Sequence, residues 1–442
     1  MNLTIVVDRS GANTTMVVVL LLCMIAVCSE AAEEAQFPGG RDEASQQDVS
    51  RATLKQLRKQ VAHRPRRIIM NNDGNDTRWP VEGEPRNRET FLAKRTSPLL
   101  GSHVDAIFYG TGCSFNLYRH HSQETEPLKN AGDEEDWGWQ LGLDGPDVLE
   151  TMVDFGHQHG IEVFWSMRMN DTHDTKPKNA WCFSQWKKDR PQLLMGQPGQ
   201  EFPYGRARWK GRWSALDYGQ PEVRDKTFRI LQDVAIRYDV DGLELDFFRH
   251  PVFFRPQMTG DLVTQAHCDM MTDLVRRVRQ MVDEVALGRE RPMLIAVRVP
   301  DSLGYAKGIG LDIECWLQEE LIDLLVVGGY FHLQPWEQTI AVGHRFDVPV
   351  YPCLSASRLS PDRFNNLNVT RLHGWRGEAA RAWDAGANGI YVFNCFSPND
   401  PIFRELGDPE LLQSLDKDYQ LNIGRLDHWL KDGSQFVKHP LP

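Results

Sequence analysis

At 442 residues the chain can hold one large domain or two ordinary ones, and its 41% apolar and 25% charged composition excludes global disorder. A formal net charge of −11 repels nucleic acid at long range, so no nucleic-acid partner is expected.

The chain opens on a targeting signal. Met16 to Val27 is an uncharged apolar run with Arg9 upstream. It is too short to span a bilayer and has the length of a signal-peptide core, with cleavage expected after Ala31. This predicts a secreted or periplasmic protein with no membrane span after cleavage. Residues 32–64 are polar: a leader whose second half can form a short helix. Outside the signal the cysteines are Cys113, Cys182, Cys268, Cys315, Cys353 and Cys395, with no C-x-x-C pair, so a zinc knuckle is not expected. Several sit inside apolar runs, where a buried free thiol is the expected state.

From about residue 65 short apolar runs alternate with helical stretches. The strand-like runs are 67–73, 104–110, 161–168, 242–248, 293–299, 324–330, 348–353 and 389–394. A helix is predicted over about 145–160, from the spacing of Val148, Met152 and Phe155, and another over 222–238. A long excursion, 169–213, breaks the rhythm. Eight such units fit a (β/α)8 TIM barrel over 65–400, followed by a helical tail over 401–442. The competing open doubly wound sheet lacks support, since no G-x-G-x-x-G or P-loop follows any strand.

In such a barrel the reactive groups lie at the C-terminal ends of the strands. The fourth run is the richest: Asp241-Gly-Leu-Glu244-Leu-Asp246-Phe-Phe-Arg249-His-Pro251. Alternation puts Glu244 and Asp246 on one face, with Leu243, Leu245 and Phe247 on the other. Two carboxylates in an apolar strand are costly unless paired or facing a polar cavity, and their proximity raises one pKa. Further strand-end candidates are Tyr109, Arg168, Asn170, Asp174, Arg298, Asp301, Tyr330, His332 and Asn394. The third run leads into Arg168-Met-Asn170-Asp171-Thr-His173-Asp174, whose His and Asp are candidate metal ligands, but the loop has no decisive spacing, so neither a metal nor a cofactor is expected.

Two stretches carry a resemblance. Leu216-Asp217-Tyr-Gly-Gln-Pro221-Glu-Val-Arg224 and Arg237-Tyr-Asp-Val-Asp241 through Pro251, with Gly160 to Val163 upstream, resemble the glycosyl-hydrolase-like family often described as family-10-like. The resemblance implies a TIM barrel and glycosidase activity on a polysaccharide or oligosaccharide. It carries a catalytic role onto Asp246 and sugar-binding or structural roles onto Arg249 and Asp217. The family usually has His where this chain has Glu244.

Glycoside hydrolysis usually needs two carboxyl groups, one of them a proton donor. Asp246 is the expected nucleophile or base, and the donor candidates are Glu244, Asp301 and Asp174. Glu244 and Asp246 are two rises apart, roughly 6.5–7 Å between Cα atoms, which is compatible with retention or inversion. Arg168, Arg249 and Arg298 near strand ends fit an anionic glycan, or else neutralise the acidic strand residues. Loop tryptophans (Trp137, Trp139, Trp181, Trp186, Trp209, Trp213) fit a catalytic barrel and a purely carbohydrate-binding one alike. A polysaccharide lyase and a metal-dependent hydrolase on the same fold are the further alternatives.

Overall fold

Eight apolar runs become eight parallel strands that close on themselves: β1 Ile68–Asn72, β2 Val104–Tyr109, β3 Glu162–Arg168, β4 Gly242–Asp246, β5 Leu294–Val299, β6 Leu324–Val327, β7 Val350–Ser355 and β8 Ile390–Phe393. Each pairs in parallel with its sequence neighbour, and β8 returns to β1. The computed structural model describes residues 43–78, 81–131, 134–200, 212–359, 371–419, 422–424, 426 and 429–439. The segment expected to be a signal peptide and Trp209 lie outside these residues. Residues 50–442 make one compact unit; of residues 1–49 only 43–49 are described, as the first turns of a helix.

The helices are α1 Glu43–Ala62, α2 Arg88–Arg95, α3 Val148–His159, α4 Pro221–Arg237, α5 Gln265–Arg289, α6 Ile313–Gln318, α7 Trp336–Arg345 and α8 Arg371–Asp384. α2 to α8 follow β1 to β7 in turn, which makes the fold a (β/α)8 barrel. Local chemistry sets their ends. The Asp147 side chain accepts from the Leu149 and Glu150 N–H groups at the start of α3, and left-handed Gly160 ends it. Pro221 opens α4 at a position where no N–H is needed, and Thr264 and His267 form a capping box on α5. Among the described residues no helix is long and apolar enough to cross a membrane.

Period-two alternation divides each strand. Leu243, Leu245, Ile295, Val297, Leu325 and Val327 join the apolar layer against the helices. Ile69, Ala106, Phe108, Phe164, Ala296, Val326, Tyr351, Cys353, Tyr391 and Phe393 form a second cluster, which fills the interior. That packing explains Gly242: a Cβ there would strike the Phe164 ring and the Leu294 carbonyl. Asp241 is structural as well. Its carboxylate accepts from the Val163 N–H at 2.8 Å and pairs with Arg291 at 3.0 Å, fastening β4 to its neighbours.

At the N-terminal end Ala62 of α1 joins the interior cluster. Arg66 reaches the Ala62 and Val61 carbonyls and the Glu162 carboxylate, and Arg58 pairs with Asp283 and Asp323. Two strands stop two or more residues before their apolar runs end. β6 stops at Val327 because Gly328 and Gly329 take positive φ, and β4 stops at Asp246, whose side chain captures the Phe248 N–H at 2.9 Å. The segment after β2 adds a small sheet of Gly112–Ser114, Leu117–Tyr118 and Glu126–Pro127. The tail carries short helices Ile402–Glu405 and Pro409–Ser414, and buried Trp429 comes within 5.6 Å of the His250 ring. The six described cysteines are free thiols, and of these Cys315 alone is part-exposed.

Candidate active site

The C-terminal ends of β1, β3, β4, β5 and β8 bring together a charged cluster. Asp246, 2% exposed, ends β4; its Oδ2 accepts from Arg298 Nη2 at 2.7 Å. Arg298 leaves β5 in register with Asp246, and its guanidinium carbon lies 3.9 Å from the Phe393 ring centroid. Burial works against the charge on Arg298, but Asp246 and Glu244 hold it protonated. Arg168 ends β3, also in register with Asp246, and donates to Asp171 Oδ2 at 2.9 Å.

Arg249, 8% exposed, differs from the other arginines. Its Nη1 donates to Asn394 Oδ1 at 3.2 Å, and its guanidinium carbon lies 5.4 Å from the Phe393 ring and 6.0 Å from Tyr330. Among the described residues it has no carboxylate within salt-bridge distance, and its buried Nε has no hydrogen-bond partner. Asn394, which receives it, sits at φ 58°, where a non-glycine residue is strained.

Asp73, just past β1, belongs to the same mouth. It pairs with Arg95 of α2 at 2.6 Å and accepts from the Asn75 amide at 2.8 Å. Burial would raise its pKa, but Arg95, Arg168 and Arg249 outweigh that and bring it down to about 2. At neutral pH Asp73 is therefore a carboxylate with no proton to give.

The other sequence candidates are placed elsewhere. Glu244 shares the interior face with Asp246 but lies one layer deeper, fully buried, accepting from Ser166 Oγ and, at 2.8 Å, from the Tyr391 hydroxyl. Burial first, then the charge of Asp246, push its pKa up to about 7. The side chain is 0% exposed, and Asp246, the next interior-facing residue of β4, lies between it and the strand end. Asp301 is also fully buried; it accepts from the Leu333 and Gln334 N–H groups at 2.8 and 3.2 Å and pins the loop after β6. Burial pushes its pKa up to about 7. His332 is buried, 3.7 Å ring to ring on Trp336.

Asp174 is locked 2.6 Å from Lys187, both fully buried. Asn170 stitches loops through the Leu216 and Val252 carbonyls, and Tyr109 packs edge-on to Phe91 in the core. Asp217 accepts from Gly219 N and the Gln220 amide within its own turn. So Asp246, Arg168, Arg249, Arg298, Tyr330 and Asn394 converge, while Glu244, Asp301, His332, Asp174, Asn170 and Tyr109 serve the scaffold around them. The described loop tryptophans divide too: Trp137 is core, whereas Trp181 lies under Arg78 and Trp186 under Arg190.

Arg95 is a member that sequence reasoning missed. Asp73 was visible as a strand-end acid; Arg95 had no signal, since it lies on a helix in a segment without strand-end position. The loop after β3 adds a third group, Asp171 and His173 with His250 from the loop after β4, whose ligand-type atoms lie within 4.8 Å of one another.

No family model matches the chain. A 105-residue segment is 31% identical to the glycosyl hydrolase DigH of Escherichia coli K12, covering 23% of this chain, and the match to DigH of Shigella flexneri has the same figures. The chain thus spans only 22% of the length of these curated relatives. Among solved structures, the glycoside hydrolase domain of PgaB (BpsB) from Bordetella bronchiseptica is 12% identical at a TM-score of 0.45, over 78% of this chain and 99% of that one. The α-L-fucosidase isoenzyme 2 from Paenibacillus thiaminolyticus is 14% identical at 0.40, over 79% and 48%. The barrel assignment itself rests on the closed strand order of this chain.

Proposed function

We propose that this chain is a glycoside hydrolase that cleaves a polysaccharide or oligosaccharide bearing anionic groups, with Asp246 as the carboxylate that meets the anomeric carbon. One observation carries the reading: Asp246 stands at the end of β4 among converging strand-end side chains, held by Arg298 and the Phe248 N–H. Fixing a carboxylate from two sides orients it toward the mouth before substrate arrives, so no reorganisation is needed at the moment of reaction. The partial similarity to DigH and the family-10-like sequence pattern support the same class.

The anionic character rests on Arg249. Arg298 and Arg168 each face a carboxylate of the protein, so their charges are spent internally. Arg249 acts on Asp73 only at a distance and, among the described residues, has no carboxylate within salt-bridge reach, and its unpartnered Nε suits one oxygen of a carboxylate or sulfate group. The apolar leader outside the described residues supports export to a compartment where such glycans occur.

The test is a panel of sulfated, uronic-acid and neutral glycans assayed side by side. Asp246→Asn should lower kcat on the order of 10³-fold or more while glycan binding survives. Undiminished turnover in that variant would eliminate the carboxylate role, and no turnover by the wild-type chain would favour a binding-only barrel. Arg249→Gln should raise KM for anionic substrates by roughly 10–100-fold, the worth of a charge-assisted hydrogen bond. Cleavage of neutral glycans alone would sink the anionic part.

A further inference from the structure

Among the described residues, the strand-end carboxyls named above are poorly placed to protonate a leaving group, and Asp76, next to Arg95 and Asn72, is buried. Asp73 is ionised, Asp174 is tied to Lys187, and Glu244 and Asp301 are enclosed. What the loop after β3 offers instead is an oriented histidine. His173 Nδ1 lies 2.6 Å from Asp171 Oδ1, and the His173 backbone N–H donates to the same oxygen at 2.9 Å. The other Asp171 oxygen accepts from Arg168. Burial opposes its charge, but His173 and Arg168 keep this carboxylate well below the usual range. The Asn179 amide donates to the His173 carbonyl at 3.1 Å, so backbone and ring are both fixed. With Nδ1–H directed at Asp171, Nε2 is the ring nitrogen left for proton transfer, on a side chain 30% exposed against 1% for Asp171.

This loop adjoins Asp246. Arg168 is in register with Asp246, and the Met169 N–H donates to the Asp246 carbonyl at 3.0 Å. The charged and titratable groups facing His250, the ring neighbour of His173, are His173, Asp171, Arg249 and Arg168, and Lys187 Nζ donates to the Asp171 carbonyl at 3.2 Å. The His250 ring stands edge-on to His173 at 4.8 Å.

A metal fits these residues poorly. His250 Nδ1 accepts the Thr172 N–H at 3.1 Å, so its neutral ring carries the proton on Nε2 and has no second lone pair. Both Asp171 oxygens already accept from cationic or N–H donors.

We infer that His173, aligned by Asp171, is the proton-transfer residue of the hydrolysis proposed above. The imidazolium gives its Nε2 proton to the glycosidic oxygen while the bond from that oxygen to the anomeric carbon breaks and its electron pair stays on oxygen. An Asp246 oxygen bonds to the anomeric carbon. Water then displaces Asp246, its proton passes to the neutral Nε2, and the imidazolium is restored; one water is consumed per bond cleaved. Asp171 acts through His173 as a positioning residue.

The inference rests on the glycosidase reading, and leaving-group dependence separates the two. Full-length wild-type, His173→Ala, Asp171→Asn and Asp246→Asn chains are assayed on the 2,4-dinitrophenyl and methyl glycosides of the sugar that the wild-type chain releases from the glycan panel. Dinitrophenolate departs without a proton, whereas methanol needs one. His173→Ala should lose ~10²–10⁴-fold in kcat/KM on the methyl glycoside and less than ~10-fold on the dinitrophenyl one. Asp171→Asn should show the same split to a smaller degree, and Asp246→Asn should fail on both. Equal losses on both aglycones in His173→Ala, no loss on the methyl glycoside, or wild-type activity removed by EDTA and restored by zinc would each overturn the role of His173 while leaving the glycosidase reading standing. A wild-type chain that turns over no glycan overturns both.

Discussion

Glu244 gives the sharpest single test of the barrel interior. The side chain titrates near 7 in the folded chain against an ordinary 4.5, because it is enclosed and Asp246 lies above it. A folded-state value above the unfolded one means that the native state holds the proton more tightly. The resulting stabilisation is present in full below about 4.5 and is lost as pH rises to about 7. A gap of about 2.5 pH units at 1.36 kcal/mol each amounts to about 3 kcal/mol between pH 4.5 and 8. Glu244→Gln removes this titration but keeps a carbonyl acceptor for the Tyr391 hydroxyl, and the rotatable Ser166 hydroxyl can accept from the new amide. Urea unfolding of wild type and variant at pH 5 and pH 8 measures the difference directly. The variant should lose about 2–3 kcal/mol less than wild type between pH 5 and pH 8, and it should stay active, because Glu244 does not reach the mouth. Parallel pH dependence in the two chains would refute the burial argument, and loss of turnover in a folded variant would return Glu244 to the catalytic set.

Two further perturbations probe the scaffold. Lys187→Met strands the Asp174 carboxylate in the interior and should cost about 3–5 kcal/mol in chemical denaturation, with Lys187→Met/Asp174→Asn recovering most of it; a single-variant loss below about 1 kcal/mol would show the pair to be solvated. Gly74→Ala places a Cβ against the Gly110 carbonyl at a backbone φ of 73° and should cost more than the roughly 1–2 kcal/mol of left-handed strain alone. Since Gly74 follows Asp73, KM should shift together with the melting temperature, and an unchanged melting temperature would contradict the close approach of the β1 and β2 loops.

The order of residues made the barrel legible, because the repeat of apolar run and helical stretch is a local property that survives without any tertiary information. It also located the β4 segment, since two acids in an apolar strand are anomalous in any environment. It could not rank the two. Alternation sends Glu244 and Asp246 to the same face but carries no information on depth, and depth makes one a strand-end group and the other a layer of the core. Likewise, three strand-end arginines look alike in sequence; only the folded chain pairs Arg298 with Asp246 and Arg168 with Asp171 and leaves Arg249 facing Asn394. The same holds for Asp301 and Asp174, whose partners, Leu333 with Gln334 and Lys187, come from other loops. Arg95 reaches Asp73 from a helix, and His250 meets His173 across two loops 77 positions apart in the chain. Strand periodicity fixes direction over a few residues, whereas burial and charge pairing are set by chain segments distant in sequence, and closure of the barrel is what brings those segments together.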